Sequence, residues 1–225
     1  MEAKRNITND IVTDYINRFY EPITDDLGDL RKDAEKANVP IILKETESFL
    51  KTFLGILSPA RILEVGCAVG YSAMFFAACT GAKVYTIEKN PEMFKIAVGN
   101  IEKLGYNKQI NVFEGDGEEV INALKERGET AFDLVFIDAA KSHYKRFFDA
   151  CLPLCGPNTV VVCDNVLFKA RVASDVYDPT GKYKTNIKKM REFMDYITKD
   201  PGMDSTIMAV GDGLSITRFK SKELR

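Results

Sequence analysis

The spacing of apolar residues divides the chain into two parts. Apolar residues recur at helical intervals from about residue 7 to 57, with interruptions at 22–27 and 39–40. After that region, short β-branched and apolar runs alternate with helical stretches, which predicts a parallel sheet with helices on both faces. The runs that we predict as strands cover residues 61–65, 83–88, 110–113, 132–138 and 159–163.

The end of the chain departs from this alternation. Two apolar runs, at 206–210 and 214–219, are joined by only Gly211, Asp212 and Gly213. So short a link permits a hairpin and no crossover helix, so one strand at the edge is antiparallel. The pattern predicts an α/β fold with a doubly wound, seven-stranded, mostly parallel sheet. We expect one domain over residues 1–225, with an N-terminal helical cap at 1–57 and an α/β core at 58–225.

Composition narrows the class of protein. With 225 residues and a net charge of −2, the chain is long enough for one stable domain and is not globally basic like a general nucleic-acid binder. No apolar run reaches the roughly 18 residues of a membrane span, so no membrane partner is expected. An odd cysteine count, and charged Glu2, Lys4 and Arg5 in place of a signal sequence, predict reduced thiols and a cytoplasmic protein.

The first predicted strand ends in a glycine-containing turn. Gly66 and Gly70 would let a ligand approach the backbone, and a helix that starts near Ser72 would direct free N–H groups at it. The spacing is not the G-x-G-x-x-G of dinucleotide enzymes, so no pyrophosphate clamp is predicted. Glu64, an acid within the strand, suits a site that holds positively charged groups. A tight turn without any ligand is the alternative.

Acidic residues end the next two predicted strands. Glu88 follows the glycines by about twenty residues, where α/β folds place a carboxylate that accepts from both ribose hydroxyls. Asp116 lies between Gly115 and Gly117, where it could accept from an adenine amino group, although an ordinary Asp-Gly turn is the alternative. The ends of successive parallel strands meet at one edge of a sheet, so these residues predict a nucleoside-binding crevice.

Two further motifs, FIDAAK at 136–141 and VCDNVL at 162–167, complete a resemblance that covers nearly the whole chain. The chain resembles the class I S-adenosylmethionine methyltransferases and, within them, the metal-dependent O-methyltransferases of the catechol and caffeoyl-CoA type. The resemblance implies a Rossmann-like methyltransferase fold and S-adenosylmethionine as cofactor.

The same resemblance implies roles for individual residues. It matches Asp138, Asp164 and Asn165 to metal ligands, places Asp138 also near the methionyl end of the cofactor, and matches Lys141 to a catalytic lysine that takes or stabilises the hydroxyl proton. Together with Asp138, Lys141 would form the catalytic pair. Ile42 falls at a cofactor-contacting position where relatives often carry methionine.

The chemistry of this ligand set supports a hard cation. Two carboxylates and an amide oxygen suit Mg²⁺, with Mn²⁺ or Ca²⁺ as alternatives, and leave room for water and substrate. Zinc is disfavoured, because the five cysteines include no C-x2-C pair and His143 is the only histidine. We expect His143 to be a surface helix residue and no general base.

A narrower resemblance concerns the acceptor. VPII at 39–42, DNVLFK at 164–169 and VGDGL at 210–214 are similar to the bacterial methyltransferases of tRNA 5-hydroxyuridine. The segment 168–191 carries seven Lys or Arg residues against two Asp, so we predict that it steers tRNA. The alternative is that this segment is a solvated surface without a binding role. A small catechol-like or phenolic acceptor is the alternative substrate, since a catechol also offers vicinal oxygens. We expect a homodimer.

Two other function classes are compatible with some of the same residues. An NAD-dependent dehydrogenase would also use Glu88 on a ribose, but the missing G-x-G-x-x-G pattern argues against it. A non-catalytic RNA-binding module is weakened by the acidic net charge. Methyl transfer to an oxygen is therefore the predicted activity.

Overall fold

The computed structural model describes residues 7–220, which form eight α-helices and seven β-strands. The helices are α1 (Asp10–Asn17), α2 (Asp25–Lys36), α3 (Lys44–Leu57), α4 (Tyr71–Thr80), α5 (Pro91–Lys103), α6 (Gly117–Glu126), α7 (Tyr144–Cys151) and α8 (Lys184–Lys199). The strands are β1 (Arg61–Val65), β2 (Lys83–Glu88), β3 (Ile110–Glu114), β4 (Phe132–Ile137), β5 (Cys155–Cys163), β6 (Met203–Met208) and β7 (Leu214–Phe219). The charged residues Glu2, Lys4 and Arg5 lie outside the described residues.

All seven strands form one sheet in the order β3-β2-β1-β4-β5-β7-β6. Strands β1 to β5 pair in parallel, whereas β7 runs antiparallel to both β5 and β6. The predicted fold class is thus confirmed, with the β6–β7 hairpin at the edge and β6 outermost. The strand order reverses between β1 and β4, and a ligand crevice is expected there at the carboxyl ends of the strands.

Four strands differ in their bounds from the prediction. β3 extends one residue further, to Glu114. β4 stops at Ile137, which leaves Asp138 as the first residue beyond the strand. β5 begins at Cys155, four residues before the predicted start. The sequence does not indicate this start, because residues 156–158 contain no apolar run and include Pro157, and because the pairing with β4 shifts its register between Cys155 and Val160. β6 covers Met203–Met208 and not 206–210: it begins three residues earlier, and it ends at Met208 since residues 209–210 already belong to the turn before Gly211.

The core fills both faces of the sheet. β1 is buried from Ile62 to Val65, and helix α4 beside it is buried at every position from Tyr71 to Ala77. A helix that is apolar all round is typical of a fully buried element. The strand-to-helix turn between β1 and α4 therefore sits on a rigid base.

The N-terminal cap, made by α1, α2 and α3, is joined to the core through a buried polar cluster. Arg31 of α2, only 3% exposed, pairs with Glu47 of α3 and donates to Tyr71 Oη of α4 at 3.1 Å. The same guanidinium donates to the Ile42 carbonyl at 2.9 Å. Loss of one partner of a buried ion pair typically costs about 3–5 kcal/mol, so this cluster fixes the segment that carries Ile42.

Among the helices of residues 7–220, none is both long and apolar enough to cross a membrane. The cytoplasmic location and the homodimer stay predictions.

Candidate active site

A cavity of about 600 Å³ lies at the carboxyl ends of β1 to β4, and we refer to it as the main cavity. Predicted site residues on its wall are Ile42, Gly66, Ser72, Glu88, Asp116, Gly117, Asp138, Lys141 and Asn165. Wall residues that sequence reasoning did not assign include Pro40, Ala68, Lys89, Ala140, His143 and Phe147. Glu64, Gly70 and Asp164 are absent from this wall, and each lies behind or beside it. The crevice predicted from the sequence therefore exists and gathers most of the predicted residues.

The glycine turn after β1 owes its glycines to protein packing. Gly66 has a φ of +105°, and a Cβ there would lie 1.8 Å from the carbonyl oxygen of Asp138. Gly70 has a φ of +83°, is the N-cap of α4, and would place a Cβ 3.3 Å from Ile101 of α5. The sequence assigns both glycines to ligand approach, and the structure gives each an additional reason. Only a glycine at 66 lets the ends of β1 and β4 come together.

Glu88 is held at the cavity wall by backbone donors. Its two carboxylate oxygens accept from the Ala68 N–H at 2.8 Å and from the Asn90 N–H at 2.7 Å. These bonds fix the carboxylate while each oxygen keeps a further lone pair. The arrangement suits the predicted acceptor of two ribose hydroxyls.

Asp116 is more strongly engaged than the sequence indicated. It caps α6 by accepting from the Glu118 N–H at 3.2 Å, and it pairs with Arg146 at 2.5 Å and with Lys89 at 3.0 Å. The Arg146 guanidinium is the main reason that the pKa of Asp116 falls to about 2. Any adenine amino group would therefore share this carboxylate with two cations. Gly117 next to it lacks the Cβ that would meet Phe147 at 2.8 Å.

Glu64 is fully buried behind the cavity wall. The Thr86 hydroxyl donates to one carboxylate oxygen, whereas the other has no partner within residues 7–220. Burial raises the pKa of Glu64 to about 7, although the hydrogen bond from Thr86 opposes the shift.

Asp138, Lys141 and Asn165 converge at one end of the cavity. The Lys141 ammonium lies 3.1 Å from Asn165 Oδ1 and 3.7 Å from Asp138 Oδ1. It also donates to Tyr144 Oη at 2.9 Å, and that hydroxyl donates to the Asp164 carbonyl at 2.6 Å. The predicted catalytic pair and one predicted metal ligand are thus in contact.

Asp164 is fully buried beneath this group. Its Oδ1 accepts from the Asn165 N–H at 2.6 Å, and its Oδ2 has no partner among the described side chains and backbone groups. Burial first, and then the nearby Asp138 carboxylate, raise the pKa of Asp164. An unpaired carboxylate oxygen in the interior is costly and favours a cation beside it.

The fit of a metal ion can be tested on this donor set. The Asp138 carboxylate and the Asn165 amide oxygen lie beside the Lys141 ammonium group, so this end of the cavity already accommodates a positive charge. Together with the unpaired Asp164 oxygen, this suits Mg²⁺ or a similar hard cation. Over residues 7–220 no group of three or more His, Cys, Asp or Glu side chains is arranged to hold a metal, which is consistent with a set that has only two acids. The metal stays a prediction.

A second cavity of about 600 Å³, here named the cap cleft, lies between the N-terminal cap and the core. It shares Pro40, Ile41, Ile42 and Asn165 with the main cavity. Its other walls include Asn17, Glu35, Lys44, Glu45, Lys169 and Asp212. Asn165 therefore lines both cavities.

The loop after Asn165 has an unusual backbone. Asn165 has a φ of +56°, and Phe168, Lys169 and Ala170 follow with φ values of +47°, +54° and +63°. Left-handed backbone disfavours residues with a Cβ by roughly 1–2 kcal/mol each. Such strain persists only where the surrounding structure enforces it, and it is concentrated at functional sites.

His143 corrects one expectation. The sequence predicts a surface helix residue, whereas His143 precedes α7, is half-buried and lines the main cavity. Burial, and then Arg146 and Lys189, lower the pKa of this imidazole, which keeps it neutral near pH 7. The sequence holds no signal for this position, because the contacts come from residues that fold around it.

Comparison with known proteins identifies the family. A family model described as O-methyltransferase matches residues 22–220. The chain therefore belongs to the O-methyltransferase family, and it is an S-adenosylmethionine-dependent O-methyltransferase, as its motifs predicted.

Several known proteins are similar to this chain over most of their length. The catechol O-methyltransferase of Niastella koreensis is 28% identical over 179 residues, which cover 76% of this chain and 79% of the relative. The caffeoyl-CoA O-methyltransferase of Populus kitakamiensis is 28% identical over 174 residues, covering 76% and 74%. The structure of a Bacillus cereus O-methyltransferase in complex with S-adenosylhomocysteine superposes with a TM-score of 0.81 at 26% identity, covering 93% of this chain and 97% of that one.

Proposed function

We propose that this enzyme transfers the methyl group of S-adenosylmethionine to one of two adjacent oxygens of its acceptor, with a divalent cation held by Asp138, Asp164 and Asn165. The observation that carries the proposal is the junction of the main cavity and the cap cleft at Asn165, above a buried carboxylate oxygen without a partner among the described residues. When bound, Mg²⁺ would supply positive charge that lowers the pKa of a neighbouring hydroxyl.

Side chains of the protein bind the methyl donor, take up the hydroxyl proton and orient the acceptor. Glu88, fixed by two backbone N–H groups, holds the ribose of the methyl donor. Asp138 lies at the boundary of donor and acceptor. Lys141, within 3.7 Å of Asp138, takes up the hydroxyl proton as a neutral amine, and the ammonium group that forms stabilises the acceptor oxyanion. The cavity walls then hold the acceptor oxygen in line with the sulfonium methyl group.

The acceptor that we propose is 5-hydroxyuridine in tRNA, whose 5-hydroxyl and 4-carbonyl oxygens are adjacent. Support comes from the basic segment 168–191, which follows the proposed metal ligands directly. Lys182, Lys184 and Lys189 are exposed and have no ion pair among the described residues, so they are available to phosphates. Arg191 is less available, because it pairs with Asp175 at 2.8 Å.

A small catechol-like acceptor is the second candidate. The observation in its favour is that the similar relatives are named for catechol and caffeoyl-CoA. A catechol offers the same pair of adjacent oxygens, so one site would serve either acceptor. The two candidates differ in the need for the basic segment.

The deciding experiment supplies both acceptors to the same enzyme preparation. Hypomodified tRNA and 3,4-dihydroxybenzaldehyde are each incubated with isotopically labelled S-adenosylmethionine and Mg²⁺, and the products are analysed by mass spectrometry. Labelled 5-methoxyuridine supports the tRNA proposal, whereas label only on the catechol overturns it in favour of the second candidate. Asp164→Asn is the matched inactive control, because it keeps the shape of the side chain and removes its charge. No label on either acceptor contradicts methylation of vicinal oxygens.

A further inference from the structure

The link between β6 and β7 reaches the site from the far edge of the sheet. Antiparallel pairing sets Ser215 opposite Cys163, so the residues before Ser215 run beside those after Cys163. The Val166 N–H donates to the Gly213 carbonyl at 2.9 Å, and the Leu167 N–H donates to the Asp212 carbonyl at 3.1 Å. The link therefore continues the sheet pairing up to the start of the left-handed turn.

The left-handed turn at 168–170 depends on one side chain of that link. The Asp212 carboxylate accepts a hydrogen bond from the Lys169 N–H, at the centre of the turn. Asp212 is only 7% exposed, which holds the acceptor in place. Regular helix or strand pairing does not satisfy this N–H, so the carboxylate replaces the missing backbone partner.

The link packs closely against the cap on one side and against the loop after Asn165 on the other. A Cβ at Gly213 would lie 2.5 Å from Leu167 Cγ, and a Cβ at Gly211 would lie 2.4 Å from Thr46 Oγ1 of the cap. The link is thus wedged between the cap and the loop after Asn165. Asp212 is the only one of its three residues with a side chain, and that side chain points to the strained turn.

The turn matters because of what lies on either side of it. Asn165, Lys169 and Asp212 all line the cap cleft, and Asn165 also lines the main cavity. We propose that Asp212 is a positioning residue: by holding the left-handed turn at 168–170, it sets Asn165 and Lys169 against the acceptor in the cap cleft. This inference rests on the proposed function for the identity of the acceptor, but the hydrogen bond between the Asp212 carboxylate and the Lys169 N–H can be tested without turnover.

Hydrogen–deuterium exchange tests the hydrogen bond between Asp212 and the Lys169 N–H directly. In Asp212→Ala, the Lys169 N–H loses its acceptor, so exchange of the segment 166–171 should rise at least tenfold. In Asp212→Asn, the amide oxygen still accepts, so exchange should stay within threefold of the parent. Asp204→Ala, which removes an exposed acid from β6 of the same hairpin, should leave the segment unchanged. Unaltered exchange in Asp212→Ala would overturn the inference whatever the enzyme methylates.

Kinetics then test the positioning role. With 3,4-dihydroxybenzaldehyde or hypomodified tRNA, whichever the parent methylates, Asp212→Ala should raise the acceptor KM at least tenfold, and Asp212→Asn should restore it to within threefold. The calorimetric Kd for S-adenosylhomocysteine should change less than twofold, because Asp212 does not line the main cavity. An equal loss in both variants, or loss of cofactor binding as well, would contradict a positioning role.

A second variant distinguishes strain in the turn from a general folding defect of Asp212→Ala. Glycine adopts a left-handed backbone without a steric cost, so Ala170→Gly should relax the turn. Added to Asp212→Ala, it should recover part of the acceptor KM. If the double variant is no better than Asp212→Ala although both are folded by circular dichroism, strain in the turn is not what Asp212 controls.

Discussion

The acidic side chains at the two ends of the crevice differ in their partners and in the direction of their pKa shifts. At the end formed by β2 and β3, Glu88 accepts two backbone N–H groups and Asp116 pairs with Lys89 and Arg146, which lowers the pKa of Asp116 to about 2. At the end formed by β4 and β5, Asp164 is buried with an oxygen that no described residue pairs, and its pKa is raised. The acids of the first end have partners, whereas the second end contains a buried carboxylate oxygen with none among the described residues.

This difference indicates where binding and where chemistry occur. A satisfied set of acceptors holds a ligand in one orientation at little cost, as a cofactor site requires. An unsatisfied buried acid is destabilising and persists only where it has a task. We therefore assign the methyl donor to the first end and the cation with its acceptor to the second.

Asp164→Asn should have the largest effect on activity, and its effects on activity and on stability should have opposite signs. Removal of the charge should lower methyl transfer by about 100-fold or more, equivalent to about 2.7 kcal/mol or more. In the absence of metal the same change should raise the melting temperature, because a buried unpaired charge is removed. Rates and thermal scans of the variant, with Asp204→Asn as the exposed control, check both. A variant with parental activity would show that the second end is complete without this carboxylate.

Glu88→Ala tests the satisfied end. Loss of a charged acceptor for two ribose hydroxyls should weaken S-adenosylhomocysteine binding by roughly 1.5–3 kcal/mol, measured by calorimetry. Glu88→Gln should lose less, because an amide oxygen can still accept from one donor. An unchanged Kd in Glu88→Ala would remove the ribose from this position.

Glu64 gives a prediction on pH. Its folded-state pKa of about 7 lies above the ordinary glutamate value of 4.5, so the folded protein favours the protonated form. Stability should be greatest below about pH 4.5 for this group and should fall as pH rises to about 7, by about 3 kcal/mol at most at 1.36 kcal/mol per unit. Urea titrations across this window should show a flatter profile for Glu64→Gln. Parallel profiles for parent and variant would mean that folding does not change the pKa of Glu64.

The basic segment should give the smallest effect, confined to one acceptor. Joint replacement of Lys182, Lys184, Lys188 and Lys189 by alanine should raise the KM for tRNA. The slope of its logarithm against log salt should fall by up to about 0.7 for each lysine that pairs with a phosphate in the parent. The KM for 3,4-dihydroxybenzaldehyde should not move, since these lysines do not line either cavity. Equal handling of tRNA by both proteins at every salt concentration would make this segment a solvated surface.

Much of the fold is predictable from the sequence because its signals are local. β-branched runs and a three-residue link determine strands and a hairpin, and the structure contains both. The start of β5 is not predictable in this way, because polar residues and Pro157 hide a strand that slips its register against β4. Periodicity has no means to reveal such a shift.

The candidate site is predictable where residues follow strands directly, as Glu88 and Asp138 do. Contacts between residues distant in the chain are not predictable: Arg146 reaches Asp116 across thirty positions, and Arg31 pairs with Glu47 only because two cap helices pack together. The left-handed turn after Asn165 is equally hidden, since none of its residues is glycine. These features arise from tertiary packing, which one sequence does not display.

Calorimetric titration of Mg²⁺ into the enzyme saturated with S-adenosylhomocysteine measures whether the acceptor end of the crevice binds a cation. We expect one bound cation per chain in the parent and none in Asp164→Asn, with the same S-adenosylhomocysteine affinity in both proteins. Equal Mg²⁺ binding by parent and variant, or none by either, would contradict the division of the crevice into a complete donor end and an acceptor end that needs a cation.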